Sequence, residues 1–305
     1  MGTFAGHALP GTALFFLGTW WAFGAWRNYV RSREHKRRYT CRAWYAMPGA
    51  SRRVCFEGIA KIVTCSIGVT GEVATAFKHG HFVEMANAQH VSMYLFYLLS
   101  GVVDVMTNCG FPFPPHTDYV TLLLAVTVEG LLFHFHLHGR PHLDVLVHTL
   151  LVYTMAAEAA CIIVEMCRPR SILASLGRAY FCLLQATWLW QVAFILHSPF
   201  PGLPAWDVHS HMDMMLAASV FTWHMMALLV YLGAVGVVAW TVYRMCGRCC
   251  DDGPSPAVQE AGETRYTLVS RSPLKMAGQE ACAGDSGLVI HSALSDYSDD
   301  EAFYS

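Results

Sequence analysis

The chain has 305 residues, 54% hydrophobic and 14% charged, where an ordinary soluble domain carries about 25% charge. Its mean hydropathy is positive. A formal net charge of −2 supplies no global basic field of the kind that nucleic-acid binding needs. Composition therefore excludes a soluble enzyme and a nucleic-acid-binding protein, and it indicates a multi-pass protein whose first partner is the lipid bilayer.

A membrane span needs about 20 mostly apolar residues to cross a core of about 30 Å. Seven such runs are present: Ala8–Trp26, Glu57–Phe77, Ala86–Thr107, Asp118–Leu137, His142–Glu165, Ile172–Leu196 and Met212–Tyr243. The expected fold class is all-α, a seven-transmembrane-helix bundle over residues 1–245, followed by a disordered cytosolic tail over 246–305. Met1 to Pro10 has no charged n-region, so no cleavable signal peptide is expected.

Orientation follows the Lys and Arg of short loops. The first loop holds Arg27, Arg31, Arg33, Lys36, Arg37, Arg38, Arg42, Arg52 and Arg53. Arg168 and Arg170 lie in the fifth loop, Arg244 and Arg248 at the end of the last span, and only Lys78 and Arg140 on the opposite side. The N-terminus is expected outside or in the lumen, and the C-terminus in the cytosol.

Thirteen of the 16 histidines then fall in or near the outer half. Ionisable groups at membrane depth are costly and mark working sites. The densest stretch is Val128 to His148, with His134, His136, His138, His142 and His148 between Glu129 and Asp144. His90, His136, His148, His211 and His224 form the candidate metal set. Glu72, Glu129 and Asp144 are its expected outer shell, with His7 and His138 as further candidates. Asp144 and His148 are i, i+4, and Glu129 and His136 are seven apart, so each pair shares a helix face. A carboxylate held against an imidazole is how metal-binding histidines are oriented. Zinc or another transition metal suits such ligands, and haem needs two histidines at matching depth. Two other readings use the same residues. One is structural hydrogen bonding near the interface. The other is a proton-linked or pH-sensing layer, since imidazole titrates near pH 6.5.

A smaller set, Lys61, Asp104, Glu158 and Arg178, sits toward the cytosol and reads as structural. Lys61 is expected to pair with Glu57 four residues before it. Arg178 is expected to pair with Asp104 or Glu158, or to snorkel. Cys246, Cys249 and Cys250 follow the last span, where cysteines favour palmitoylation. The tail carries Tyr-Thr-Leu-Val at Tyr266 to Val269, the tyrosine-x-x-hydrophobic pattern read by endocytic sorting adaptors.

Three segments carry a family resemblance: Gly-His-Ala-Leu-Pro-Gly at Gly6 to Gly11, His136 to Arg140 with Leu143 to His148, and Pro204 to Asp207 with His211 and Trp223-His224. Together they resemble the transmembrane protein 45 family over roughly Met1 to Arg244. Among the family's polar positions the resemblance marks His7, Glu72, His90, Glu129, His136, His138, Asp144, His148, Asp207, His211 and His224. It implies a protein of Golgi, endosomal or lysosomal membranes, with some relatives tied to innate antiviral defence, and no established chemistry; the plasma membrane is the alternative location. Two function classes stay open: a metal-dependent membrane enzyme or redox protein, and a non-enzymatic adaptor or trafficking protein.

Overall fold

A computed structural model describes residues 3–47, 54–78, 81–82, 85–135, 137, 139–200, 202 and 205–246. Tyr266, Val269, Cys249 and Cys250 lie outside the described residues, as do His136 and His138, and the side chain of Cys246 is likewise not described. The described residues form seven helices: α1 (Phe4–Glu34), α2 (Phe56–Ala76), α3 (Met85–Asn108), α4 (Thr117–Phe135), α5 (His142–Cys167), α6 (Ile172–His197) and α7 (His211–Cys246). One element departs from the all-α expectation. A two-residue antiparallel hairpin, β1 (Phe77–Lys78) with β2 (His81–Phe82), joins α2 to α3.

Helices α2 to α7 are each long and apolar enough to cross a membrane, which makes this an integral multi-pass membrane protein. Helix α1 does not reach that apolarity. Its 31 residues would still extend about 46 Å at 1.5 Å per residue, but glycine, threonine and tryptophan replace much of the aliphatic content. The reason is packing. Helix α1 lies along α6, and a Cβ at Gly11 or Gly18 would come within 2.9 Å of Ala186 O or Leu183. Small residues at such positions let two membrane helices approach closely.

Helix α6 is the hub. It packs against α1, α5 and α7, and 16 of its 26 residues are buried. The remaining helices follow as neighbours, α5 on α4, α4 on α3 and α3 on α2. Trp188, Leu183, Leu184, Leu151 and Met155 are among the largest fully buried side chains.

The two ends of the bundle differ. His7, His148 and His197 meet at one end, and Glu72 meets His90 there. At the other end a segment after α1 crosses the bundle as an extended strap. Its burial alternates: Tyr39, Cys41, Ala43 and Tyr45 are buried, and Thr40, Arg42 and Ala46 are exposed. A period of two is the signature of extended chain lying on a surface.

Candidate functional site

The polar side chains inside the bundle form three layers. The first is at the histidine end. Thr3 caps α1, its hydroxyl accepting from Gly6 N at 3.0 Å, which sets His7 in the first helical turn. The His7 ring lies 5.7 Å from that of His148 and 5.5 Å from that of His197, centre to centre. His148 Nδ1 is 2.7 Å from Asp144 Oδ1, and Arg140 donates to Asp144 Oδ2 at 2.9 Å. Phe133 stacks on the His148 ring. Beside this group, His90 Nδ1 meets Glu72 Oε1 at 3.1 Å.

The candidate metal set divides among these contacts. His148 joins His7, and His90 joins Glu72. His224 packs edge-on against Trp188 at 5.7 Å, and His211 is the exposed first residue of α7. Among the described residues, no three His, Cys, Asp or Glu side chains are gathered as a metal ion requires. A common depth does not give a common face. Asp144 holds His148 as the i, i+4 spacing implied, and Glu72 holds His90. Glu129 takes part in a different layer.

That second layer is at mid-depth. Glu129 on α4 is 7% exposed and accepts from Tyr97 Oη on α3 and from Gln185 Nε2 on α6, both at 2.7 Å. Glu158 on α5 is 2% exposed, and its Oε2 has no hydrogen-bond partner among the described residues. Gln185 Oε1 also lacks one. Nothing in the spacing of residues singled out Gln185 or Tyr97, because both sit in apolar runs and act across helices.

The third layer lies under the strap. Arg178 on α6 pairs with Glu165 on α5 at 2.7 Å. This corrects the expectation that its partner is Asp104 or Glu158. Its other nitrogens donate to the backbone oxygens of Arg42 and Ala43 at 2.9 Å, and its guanidinium stands 4.2 Å from the Trp21 ring. A planar cation with several donors suits carboxylate, carbonyl and ring at once. Asp104 instead takes Lys61 at 2.7 Å, and Lys61 also meets Glu57 at 3.2 Å as the i, i+4 spacing predicts. Glu57 accepts from Trp20, Trp21 and the backbone N–H of Tyr45. Strap and bundle are further joined by Tyr39 Oη to Ser175 and Cys41 N to Pro169 O. Burial raises the Cys41 thiol and the Tyr39 phenol above their ordinary values and pushes the Tyr45 phenol up to about 12.

Counted together, the buried charged residues are Glu57, Asp104, Glu129, Glu158 and Glu165 against Lys61 and Arg178. Among the described residues the interior therefore holds more acids than permanent cations. Buried carboxylates without cations take up protons or bind positive ions.

The model of a family of unknown function, DUF716, matches residues 116–236. The chain is similar to transmembrane epididymal protein 1 of Rattus norvegicus, 25% identical over 263 residues that cover 78% of this chain and 81% of the relative. It is also similar to transmembrane epididymal protein 1 of Homo sapiens, 26% identical over 185 residues, 57% of this chain and 67% of the relative. Transmembrane epididymal protein 1A of Mus musculus is 26% identical over 263 residues, 78% of this chain and 81% of the relative.

Proposed function

We propose that this is a pH-responsive membrane protein of the endomembrane system, of the transmembrane protein 45 type, whose histidine end faces an acidifying lumen. The basic first loop supports that orientation, with the N-terminus lumenal and the tail cytosolic. The observation that carries the reading is the packing of His7, His148 and His197 ring against ring. Among the described residues, the charged neighbours of this group are Asp144 and Arg140, with His90 and Glu72 beside it. Asp144 is shared by Arg140 and His148, so each further proton taken up by the three rings adds positive charge to a group that already holds a guanidinium. Like charges at this separation repel. Acidification thus drives the starts of α1 and α5 and the end of α6 apart.

Hydrogen exchange of the protein in lipid nanodiscs tests this. Between neutral and endosomal pH, and after correction for intrinsic rates, the first turns of α1 and α5 should lose protection. The His7→Gln and His148→Gln variants should respond less. Equal protection of the wild type at both pH values overturns the reading.

A metal at the same end is carried as a second proposal. Zinc, another transition metal or haem would use His148, oriented by Asp144, with His136 and His138. Elemental analysis and an absorption spectrum of the purified protein test it. The trafficking reading rests on Tyr266 and Val269, engaged by sorting adaptors, and on lipidation of Cys246, Cys249 and Cys250. An unchanged surface-to-internal ratio in Tyr266→Ala sinks it.

A further inference from the structure

The middle layer contains a mismatch that neither the histidines nor the Arg178 pair resolves. Helices α5 and α6 run antiparallel, and Glu165 meets Arg178 between them. Two helical turns along, seven residues back on α5 and seven forward on α6, are Glu158 and Gln185. Seven residues is nearly two turns, so each lies on the face of its helix that carries the ion pair. Both are buried, at 2% and 0% exposure. Gln185 Nε2 donates to Glu129, which fixes the amide: its nitrogen faces that carboxylate, leaving Oε1 to turn elsewhere. Both oxygens of Glu129 are already satisfied, by Gln185 and Tyr97. What is left over is Gln185 Oε1 and Glu158 Oε2, neither with a partner among the described residues.

An amide oxygen and an ionised carboxylate are both acceptors and cannot satisfy each other. One added proton changes this. A protonated Glu158 becomes a donor, and a single hydrogen bond to Gln185 Oε1 would remove both orphans.

We propose that Glu158 is a proton-binding site at mid-depth, its acidic proton donated to Gln185 Oε1 and Gln185 in turn donating to the Glu129 carboxylate. The site joins α4, α5 and α6 only while the proton is present. Its loss sets two acceptors face to face across the α5–α6 seam and adds a further uncompensated negative charge to an acid-rich interior. The site lies on a different layer from the histidine group and stands if the reading of that group fails.

The test is infrared spectroscopy of the protein in nanodiscs at neutral pH in potassium buffer. The wild type should show the carbonyl stretch of an un-ionised carboxylic acid. Glu158→Gln should lose one component of that band. Gln185→Met, which keeps the acid but removes its acceptor, should shift the component, and this variant keeps the proposal testable if Glu158→Gln folds poorly. Replacing potassium by sodium should leave the band unchanged. The proposal is overturned if the wild type has no such band, if the band is untouched in both variants, or if sodium abolishes it. The last outcome would mark a sodium site in place of a proton site.

Discussion

Arg178 and Glu165 meet at 2.7 Å with neither side chain accessible to solvent. Breaking a buried pair by removing one partner costs about 3–5 kcal/mol, because the other charge is stranded. Arg178→Ala should therefore lower the unfolding midpoint in detergent strongly. Arg178→Lys keeps the charge but cannot reach Glu165 and both strap carbonyls together, so it should fall between. Equal midpoints for wild type and Arg178→Ala would refute the assignment.

A second prediction concerns Gly24. A Cβ there would run into the ring of Tyr45, and overpacking typically costs about 1–3 kcal/mol. Gly24→Ala should push the strap off the bundle. The observable is limited trypsin digestion, which should cut after Arg37, Arg38 or Arg42 faster than in the wild type.

Glu57 gathers donors from α1 and the strap, and it sits beside Lys61. Glu57→Ala leaves the indole N–H of Trp21 and the backbone N–H of Tyr45 without their acceptor. Each orphaned buried donor costs about 1–3 kcal/mol. The variant should lose thermal stability and show altered tryptophan emission. An unchanged emission spectrum counts against the contact.

The strap also predicts pH behaviour. Burial raises the Cys41 thiol, and the thiolate is the reactive form. Near neutral pH, Cys41 should alkylate more slowly than exposed Cys109 and Cys167, as peptide mass mapping would report. Tyr45 is neutral when folded, with its phenol pushed up to about 12 from an unfolded value near 10. Its contribution is complete below about pH 10 and is lost as pH climbs toward 12. Alkaline unfolding of Tyr45→Phe should lack that component.

The limits of α2 to α7 were legible, within a few residues, because a membrane helix announces itself by an apolar run of fixed length, whereas α1 runs on past the expected Trp26 to Glu34. The Glu57–Lys61 pair and the Asp144–His148 pair were legible for the same reason, since i, i+4 geometry belongs to one helix. Contacts between helices were not. Which acid meets Arg178 depends on how α5 and α6 are rotated and offset, and sequence spacing carries neither. The strap was hidden too. Its alternation at Tyr39, Cys41, Ala43 and Tyr45 lies in a loop whose arginines were read for topology. The histidines were placed by depth, and depth alone does not say which rings meet, as those of His7 and His148 do.

The central place of α6 has a consequence for biogenesis. Helix α1 is the first helix to leave the ribosome, yet its principal neighbour is the sixth. The 162 residues between Glu34 and His197 take roughly 8–32 s to synthesise at 5–20 residues per second. For that interval a helix of modest apolarity, with Pro10 inside it, waits without the surface that Gly11 and Gly18 are shaped to meet. Substitutions on that glycine face should act first on how much protein survives insertion, and only afterwards on what the finished bundle does.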